Sequence, residues 1–470
     1  MSEEDKLANL AVEIEGLVRQ YSALAHAGNR PPGKEPAAFI PGETVVPYAG
    51  RVFDENEVAA AVRASLDFWL TLGPEGAAFQ QELASTLGVK HTVLVNSGSS
   101  ANLVAFSALT SPKVPKTRRI RPGDEVITCA AGFPTTVAPI VQNGAVPVFI
   151  DSDPATGNAR VEMLEEAFSA GKTKAVMMAH TLGNPFDLEA VLAFCGRHDL
   201  WLIEDNCDAL GSRYSLPGKP SRLTGSFGDL STQSFYPPHH ITMGEGGAVN
   251  IVSHPPLKTL VESFRDWGRD CWCESGKDNT CGRRFEWKQG ELPKGYDHKY
   301  IYSHLGYNLK PLDIQAAIGR EQLKRLPQFV ALRRQNWQRL RSGLSEFSDC
   351  FDFMEPTPGS EPSWFGFMLL VKDSAPFTAV QLSRHLDEKK IGNRRLFGGN
   401  LVRQPAFVQL HNDHAAAFRV VGNLVGADRL MNSALFVGVY PGLTPAMLDY
   451  VIETIGSYCR SNTLTRTRSK

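Results

Sequence analysis

The feature that most constrains the fold is a regular alternation of short β-branched runs with segments of helical periodicity. From about residue 55 to residue 330, the runs HTVLVN, DEVIT, VPVFID, KAVMMAH and LWLIED are separated by helical segments such as SANLVAFSAL, RVEMLEEAFSAG and LEAVLAFCGRH. Strands that alternate with helices are joined by crossovers, which favour parallel strands covered by helices. The sequence therefore predicts an α/β core on a mostly parallel sheet.

The two ends of the chain differ from this core. The first residues, MSEEDKLANLAVEIEGLVRQY, have the pattern of an amphipathic helix, and a Pro- and Gly-rich stretch over 27–43 predicts an extended arm. A long helical stretch starts at PLDIQAAIG, and separate strands and helices follow it, such as WFGFMLLV and TAVQLSRHLDEKK. We predict an N-terminal helix and arm over 1–50, a large domain over 51–330 and a small α+β domain over 331–470.

Charge and hydrophobicity limit the classes of partner. The 49 Lys and Arg residues nearly balance the 50 Asp and Glu residues, so no block of charge indicates nucleic acid or an anionic membrane. No run of 18 or more apolar residues occurs, and the N-terminus is acidic instead of basic and then apolar. We expect a cytoplasmic protein that binds small molecules or other proteins.

Three stretches at strand ends are typical of a pocket for a phosphorylated aromatic cofactor. VNSGSSANL opens a helix after a strand, so its free N–H groups suit a phosphate, with Gly98 allowing close approach and Ser99 adding a hydroxyl. Asp205 ends the strand in LWLIEDNCDALGS, where a carboxylate keeps a pyridinium nitrogen protonated, and Phe133 in AGFPTTVAP offers a flat face. The alternatives are helix N-caps for the polar residues and a core position for Phe133.

Together with SFYPPHHITMGEGG and GYNLKPLDIQAAIGREQLKRL, these stretches occur in the order of one known group. The chain resembles the sugar aminotransferase and dehydratase family, which uses vitamin B6 on nucleotide-linked keto sugars and has the aspartate aminotransferase-like fold (fold type I). The resemblance implies a large cofactor-binding domain and a homodimer. It assigns these cofactor contacts: Gly98, Ser99 and Ser234 to phosphate, Phe133 and Asp205 to the ring, and Asn308 to the phosphate of the other subunit.

The chain departs from the family pattern at one position. The lysine of the family's SFxxxK motif corresponds to His239, and imidazole cannot hold an aldehyde cofactor as an imine. Imidazole titrates near neutral pH and is a competent base there. His239 is therefore the predicted catalytic base, with an ordinary loop histidine as the alternative.

A chain without the lysine is expected to hold pyridoxamine 5′-phosphate, the amine derived from pyridoxal phosphate, without a covalent bond. The cofactor's amine would condense with a 4-keto sugar, and His239 would remove a proton from C4′ of the cofactor so that the C3 hydroxyl leaves. The predicted activity is that of a carbon–oxygen lyase. Asp208 and Tyr236 also differ from the residues expected in a transaminase and are predicted to favour elimination.

Three of the eight cysteines cluster in RDWGRDCWCESGKDNTCGRRF. Cys271, Cys273 and Cys281 have the spacing C-x-C-x7-C, and neighbouring Arg and Lys residues favour thiolates, which suit a soft metal. Cys207, two residues after Asp205, is the candidate fourth ligand. The spacing alone leaves an iron–sulfur cluster, structural zinc and unliganded thiols open.

Further stretches, among them GYDHKYIYSHLGYNLK, MMAHTLGNPFDL and VYPGLT, resemble one branch of the family. That branch dehydrates CDP-4-keto-6-deoxy-D-glucose in 3,6-dideoxyhexose biosynthesis and carries a 2Fe-2S cluster. The likeness implies an NADH-dependent iron–sulfur flavoprotein reductase as partner. It also implies the cluster ligands Cys207, Cys271, Cys273 and Cys281.

Two other functions remain open: a cluster-free, glutamate-dependent 3-dehydratase of the same fold, and a catalytically silent relative with a zinc-held loop. For the substrate, Arg394 in GNRRLFGGN and Arg403 in GGNLVRQP are candidate contacts to the diphosphate of a nucleotide-linked 4-keto-6-deoxy sugar. Surface salt bridges are the alternative role for both arginines.

Overall fold

The computed structural model describes residues 1–27, 39–273 and 277–468. Most of the predicted extended arm, residues 28–38, lies outside these ranges. The helices are α1 (Glu3–Ala25), α2 (Glu55–Leu66), α3 (Pro74–Leu87), α4 (Gly98–Leu109), α5 (Pro134–Gln142), α6 (Leu164–Ala167), α7 (Leu188–His198), α8 (Leu257–Arg265), α9 (Asp313–Gly343), α10 (Ala379–Glu388), α11 (Pro405–Asp413), α12 (Val425–Ser433) and α13 (Pro445–Arg468).

In the described part of the chain, the strands belong to three sheets. In chain order they are β1 (His91–Val95), β2 (Glu125–Cys129), β3 (Val146–Ile150), β4 (Thr173–Ala179), β5 (Trp201–Asp205), β6 (Arg213–Tyr214), β7 (Arg222–Leu223), β8 (Leu230–Ser234), β9 (Gly247–Ile251), β10 (Phe351–Phe353), β11 (Ser360–Glu361), β12 (Gly366–Val371), β13 (Asn393–Arg395), β14 (Arg419–Val420) and β15 (Ala434–Gly438).

The largest sheet has eight strands in the order β1-β9-β8-β5-β4-β2-β3-β14. The strands from β8 to β14 in this order are parallel, and β9 and β1 add antiparallel pairs at one edge. The predicted α/β fold on a mostly parallel sheet is confirmed. The carboxyl ends of the parallel strands meet at one edge of the sheet, which is where ligands of such folds bind.

Helix α4 follows β1 in the chain and is largely buried. Nine of its twelve residues are buried, because small and apolar side chains cover it on nearly every side. Ser97 caps its N-terminus by accepting a hydrogen bond from the N–H of Ser100 at 3.1 Å. The burial of the helix fixes the direction in which its N-terminal N–H groups point.

One predicted helix is mostly absent. In RVEMLEEAFSAG the structure has a 3-10 turn (Val161–Met163) and only the four residues of α6. The chain turns extended at Phe168, whose ring stacks on His198 with centroids 3.9 Å apart and packs on Phe194. Tertiary packing of this aromatic side chain overrides the helical periodicity.

The predicted division at residue 330 stays a prediction. Helix α9 runs across that residue, and β14, from the C-terminal part, joins the edge of the largest sheet. The strands β10, β12, β15 and β13 form a separate antiparallel sheet. Across residues 1–27, 39–273 and 277–468, no helix has the length and apolarity needed to cross a membrane.

Candidate active site

The start of α4 and the end of β8 meet closely. A Cβ added to Gly98 would lie 2.5 Å from Cβ and 2.9 Å from Oγ of Ser234, so only glycine fits this approach. Ser234 is buried, and its Oγ accepts a hydrogen bond from the N–H of Tyr236 at 3.4 Å. Ser99 is exposed at the helix N-terminus. The structure thus brings the three predicted phosphate-binding residues of this chain together.

Asp205 lies behind this N-terminus as a buried carboxylate, 5 % exposed. Its side chain accepts hydrogen bonds from Asn102 at 2.8 Å, from Thr136 at 2.7 Å and more weakly from Thr232 at 3.5 Å. These donors are all neutral, and burying an ionised carboxylate is costly without a cation. A pyridinium N–H would complete the site, so the residues present fit a vitamin-B6 ring.

The three neutral donors around Asp205 were missed by the sequence analysis. Asn102 is in the second turn of α4 and Thr136 is in the first turn of α5, so the end of one strand is held by two helices. Polar residues in otherwise apolar helices were the available signal. Their distance in sequence from Asp205 concealed their common partner.

Glu204, the residue before Asp205, has a different role. Side chains alternate across a strand, and Glu204 is fully buried on the opposite face, where it accepts hydrogen bonds from the N–H groups of Gly225, Phe227 and Gly228. His180 lies 3.2 Å away. Glu204 therefore stabilises the connection before β8.

Phe133 lies at the start of α5, and its predicted stacking role stays a prediction. It is the N-cap of α5, three residues before Thr136, and its side chain is 52 % exposed. Phe397 meets its ring edge-on, with centroids 6.1 Å apart. An exposed aromatic ring supported at its edge fits a stacking role better than the core alternative.

His239 is paired with a carboxylate. Its Nε2 lies 3.3 Å from Oδ1 of Asp208, and both side chains are 16 % exposed. Burial raises the pKa of Asp208, and the hydrogen bond and charge of His239 oppose that rise. Nδ1 of His239 has no partner in the described part of the chain. The imidazole thus has Nε2 paired with a carboxylate, whereas Nδ1 is buried without a partner in that part of the chain.

The backbone of His239 is also fixed, by a residue that the sequence analysis missed. Arg333, in α9, donates a hydrogen bond to the carbonyl of His239 at 3.1 Å and another to the carbonyl of Trp364 at 3.1 Å. Burial lowers the pKa of Arg333 to about 9. No local pattern separates this arginine from the others in α9.

The neighbouring His240 is structural. It is 2 % exposed, and its Nε2 lies 2.7 Å from the carbonyl of Ser363. Burial lowers the pKa of His240 well below its usual value, so the ring is neutral and donates to that carbonyl. Of the two adjacent histidines, only His239 combines partial exposure with a carboxylate partner.

Two other predicted residues lie at the surface. Tyr236 is 47 % exposed, with its ring centroid 6.2 Å from that of His239. Asn308 is exposed in a loop, where it pairs with the backbone of Asp266 and accepts a hydrogen bond from Lys310. Within one chain, Asn308 makes no described contact with Gly98 or Ser234. Its predicted role requires a second copy.

The three clustered cysteines share a pocket with Asp278, Arg284, His298 and Lys299 in its wall. Despite partial burial, hydrogen bonds from Thr280 and from the N–H of Cys281 hold the pKa of Cys273 at about 7, and burial raises that of Cys271 to about 11. The thiols are hydrogen-bonded to one another. Among the described residues, no group of three or more His, Cys, Asp or Glu side chains is arranged so that it could hold a metal ion.

Cys207 lies in the cofactor pocket. A Cβ on Gly98 would be 3.0 Å from its Sγ, and its N–H donates to Asp205 at 3.2 Å. Burial, and then the charge of Asp205, raise the pKa of the Cys207 thiol well above its usual value. The structure does not bring Cys207 to the other three cysteines. Its role as the fourth cluster ligand stays a prediction.

The two candidate substrate arginines have partners within the chain. Arg403 forms a two-pronged ion pair with Asp428, at 3.2 and 3.0 Å. The guanidinium of Arg394 lies over the ring of Tyr48, 4.1 Å from its centroid. The structure does not place either arginine in contact with the residues around Asp205, and their diphosphate role stays a prediction.

The fold and the site together define a class, that of vitamin-B6 proteins with the aspartate aminotransferase-like fold type I. A variant of GDP-4-keto-6-deoxymannose-3-dehydratase with bound GDP-perosamine superposes with a TM-score of 0.76 at 28% identity, over 87% of this chain and 99% of that chain. The Escherichia coli GDP-4-keto-6-deoxy-D-mannose-3-dehydratase with bound hydrated PLP gives 0.75 at 28% identity, over 88% and 100%. The predicted fold type is confirmed.

The chain belongs to the DegT/DnrJ/EryC1/StrS aminotransferase family, whose model matches residues 53–456. It is 50% identical to the lipopolysaccharide biosynthesis protein RfbH of Salmonella typhimurium, over 95% of this chain and 97% of that protein. It is 48% identical to a dTDP-4-dehydro-2,6-dideoxy-D-glucose 3-dehydratase of Saccharopolyspora spinosa, over 90% of this chain and 89% of that protein. Identity to a GDP-4-keto-6-deoxy-D-mannose 3-dehydratase of Yersinia pseudotuberculosis is 32%, over 83% and 93%.

Proposed function

We propose that the protein removes the C3 hydroxyl of a nucleotide-linked 4-keto-6-deoxyhexose in deoxysugar biosynthesis. The observation that carries the proposal is the pairing of His239 with Asp208 at the position where the family has its lysine. Relatives named as 3-dehydratases, at 48% and 32% identity, support the reaction class. The names of these two relatives specify different nucleotides, dTDP and GDP. We propose CDP-4-keto-6-deoxy-D-glucose as the substrate from the sequence likeness alone.

The cofactor that fits is pyridoxamine 5′-phosphate. When bound, it supplies an amine that condenses with the 4-keto group and a ring that accepts electrons. Asp205 holds the ring nitrogen protonated, and Phe133 supports one ring face. The N-terminus of α4, with Ser99 and Ser234, binds the phosphate. A solved relative contains hydrated PLP, which supports this class of cofactor.

His239 moves the proton in this proposal. Asp208 orients the imidazole through Nε2, and the Arg333 hydrogen bond fixes the backbone at the same residue. In this proposal His239 removes a proton from C4′ of the cofactor. Because imidazole cannot form the internal imine, the reaction stops at dehydration and does not proceed through a transaminase cycle.

We further propose a redox partner and a second subunit. Removal of the C3 hydroxyl leaves a product that takes up two electrons and two protons to become the 3-deoxy sugar. A 2Fe-2S centre in the loop of Cys271, Cys273 and Cys281 would receive those electrons from an NADH-dependent iron–sulfur flavoprotein reductase. A homodimer would bring Asn308 to the phosphate of the other copy.

A second candidate is the cluster-free 3-dehydratase that uses glutamate as amino donor. It is favoured by a solved GDP-4-keto-6-deoxymannose-3-dehydratase with a trapped PLP–glutamate geminal diamine. It is also favoured by the three clustered thiols, which are hydrogen-bonded to one another and do not surround one point. The catalytically silent, zinc-binding relative is disfavoured because the pocket around Asp205 has all its parts.

The proposal is tested by single-turnover dehydration of CDP-4-keto-6-deoxy-D-glucose by enzyme loaded with pyridoxamine 5′-phosphate, with and without reductase and NADH. We expect substrate consumption in the wild type and its loss in His239→Asn. The matched control is His254→Asn, because His254 is a partly exposed histidine paired with Asp229 elsewhere. Full activity of His239→Asn would overturn the role of the histidine. Turnover driven by glutamate without reductase would select the second candidate.

A further inference from the structure

A small cavity beside His239 is lined by three residues that each have a buried nitrogen with no hydrogen-bond partner among the described residues. The residues are His239, His240 and Arg333, and the nitrogens are Nδ1 of each histidine and Nε of the arginine. His240 is 2 % exposed and Arg333 is 1 % exposed. Buried polar atoms are nearly always paired in folded proteins, so three of them around one cavity indicate a common partner.

Two of these nitrogens have fixed roles. The other two nitrogens of the Arg333 guanidinium donate to the carbonyls of Trp364 and His239, each at 3.1 Å, and its Nε–H is also only a donor. Burial lowers the pKa of His240 well below its usual value, and Nε2 of this neutral ring donates to the carbonyl of Ser363. Nδ1 of His240 therefore has the lone pair. The cavity offers one hydrogen-bond donor and one acceptor beside the base.

The role of Nδ1 of His239 changes with the charge of the ring. Nε2 of His239 lies 3.3 Å from Oδ1 of Asp208. In the proposed function the imidazole takes up a proton, and Nδ1 of a protonated imidazole is a donor, whereas in one tautomer of the neutral ring it is an acceptor. A carbonyl or an N–H group would pair with only one of these states. A partner that rotates would pair with both.

We propose that the cavity binds one water molecule, which accepts from Nε of Arg333, donates to Nδ1 of His240 and pairs with Nδ1 of His239. The free volume of the cavity is about 10 Å³, which is at the lower end of the roughly 10–15 Å³ that one water needs. Buried waters make about three hydrogen bonds, as this one does. Arg333 and His240 are then positioning residues, and this role rests on the proposed function of His239 as the base.

The water matters because of the groups that surround the base. The titratable and charged groups around His239 are Asp208, Tyr236, His240, Arg333 and the exposed Arg51. Without the water, the N–H of Nδ1 in a protonated His239 would be buried beside the N–H of Arg333 with no acceptor. Burying an unpaired donor is costly, so the protonated ring would form less readily. The water therefore supports the state that His239 reaches when it removes a proton.

The site itself is tested by a high-resolution crystal structure of the full chain. We expect one ordered water within about 2.7–3.2 Å of all three nitrogens. Val52→Ile should exclude that water, because Val52 is a buried residue of the cavity lining and the added methylene fills the space while all three nitrogens remain. A wild-type structure in which the three nitrogens have no common water would overturn the proposal.

The role of the water is tested by the pH dependence of single-turnover dehydration. Val52→Ile should lower the rate by about tenfold, since a buried polar group loses its partner. The acidic limb of its pH–rate profile should move to lower pH, because the protonated ring is less stable without the water. Strain from the larger side chain alone would lower the rate by the same factor at every pH and would leave the limb in place.

Val46→Ile is the matched control. Val46 is another buried valine, 2 % exposed, and it does not line the cavity. It adds the same methylene and should leave both the rate and the limb unchanged. If Val52→Ile does not fold, Arg333→Lys removes the Nε donor and should lose the water and the rate. Arg334→Lys controls for that change, because Arg334 is the next residue of α9 and donates only to the carbonyls of Glu361 and Pro362.

The outcomes separate this inference from the proposed function. A water that Val52→Ile excludes with no change in rate or limb would overturn the positioning role and leave His239 as the base. Dehydration that is equally fast in the wild type and in His239→Asn would overturn the proposed function and the positioning role together, and the crystal structures would still decide whether the cavity binds the water.

Discussion

The cofactor pocket and the cysteine pocket are built in different ways. The cofactor pocket takes its residues from β5, β8, α4 and α5, so the sheet itself fixes their positions. The cysteine pocket lies between α8 and α9, where the described residues form loops and one short 3-10 turn, His298–Tyr300. Sites on strands and helices hold their geometry better than sites on loops. The cysteine pocket therefore depends on its own internal contacts, chiefly those of Asp270 with His298 and Gln289.

The thiols of the two pockets also differ in their pKa values. Burial raises the pKa of Cys207, whereas hydrogen bonds lower that of Cys273 to about 7. Thiolates are the form that binds metals and reacts with electrophiles. Position in the fold, and not residue type, decides which cysteine is able to act as a thiolate near neutral pH.

The largest expected effect is in the cofactor pocket. His239→Asn should lower the single-turnover dehydration rate by about 10²–10⁴, the usual contribution of a general base. Binding of pyridoxamine 5′-phosphate, measured by fluorescence titration, should stay within a few-fold, because the residues proposed to hold the cofactor are separate from His239. Equal losses of rate and of cofactor affinity would mean that His239 holds the cofactor and is not the base.

The next effect concerns the buried carboxylate. Asp205→Asn keeps the shape of the side chain and removes the charge proposed to pair with the ring, so cofactor affinity should fall by about 2–5 kcal/mol. Asp187→Asn is the control, because Asp187 caps α7 and asparagine caps equally well. Unchanged affinity in Asp205→Asn would move the ring away from this residue.

A smaller effect tests how closely the elements of the cofactor pocket approach. Gly98→Ala puts a Cβ 2.5 Å from Cβ of Ser234, so the free energy of unfolding should fall by about 1–3 kcal/mol. Gly196→Ala, at a glycine inside α7 with open space around it, should be neutral or stabilising by up to about 1 kcal/mol. Urea denaturation measures both, and similar changes in the two variants would contradict the close contact.

Acid should lower the stability of the protein through two buried histidines. Burial lowers the pKa of His240 well below its usual value and that of His304 to about 4. Between about pH 6.5 and pH 4 the unfolded chain therefore binds more protons than the folded chain, so stability rises with pH across this window. Going from pH 7 to pH 5 should cost up to about 2 kcal/mol per histidine. Denaturant midpoints should show a shallower pH dependence in His304→Asn, and an unchanged slope would contradict the assignment.

The smallest effect lies outside both pockets. Arg403→Gln breaks an ion pair whose side chains are 58% and 32% exposed, and such pairs contribute about 1 kcal/mol or less. We expect a change of that size in unfolding and a KM for the nucleotide sugar within about twofold of wild type. An increase in KM of tenfold or more with an unchanged kcat would assign Arg403 to the diphosphate instead.

Some parts of the site could be read from local patterns, and others could not. Gly98, Ser99, Phe133 and Asp205 sit at strand ends, so the order of strands and helices alone places them at one edge of a parallel sheet. The donors to Asp205 come from helices, and the hydrogen bond that fixes the backbone of His239 comes from α9. Those contacts join residues far apart in the chain, and periodicity carries no information about them.

The sequence by itself determined the α/β class, the edge of the sheet where a cofactor would lie, and the replacement of a lysine by His239. The first two follow from strand and helix periodicity, which is a local property of the chain, and the third follows from its resemblance to the family's SFxxxK motif. Tertiary structure decided that His239 and not His240 faces a carboxylate, and that Cys207 lies apart from the other three thiols. Burial and distance set these outcomes, and both exist only once the chain is packed.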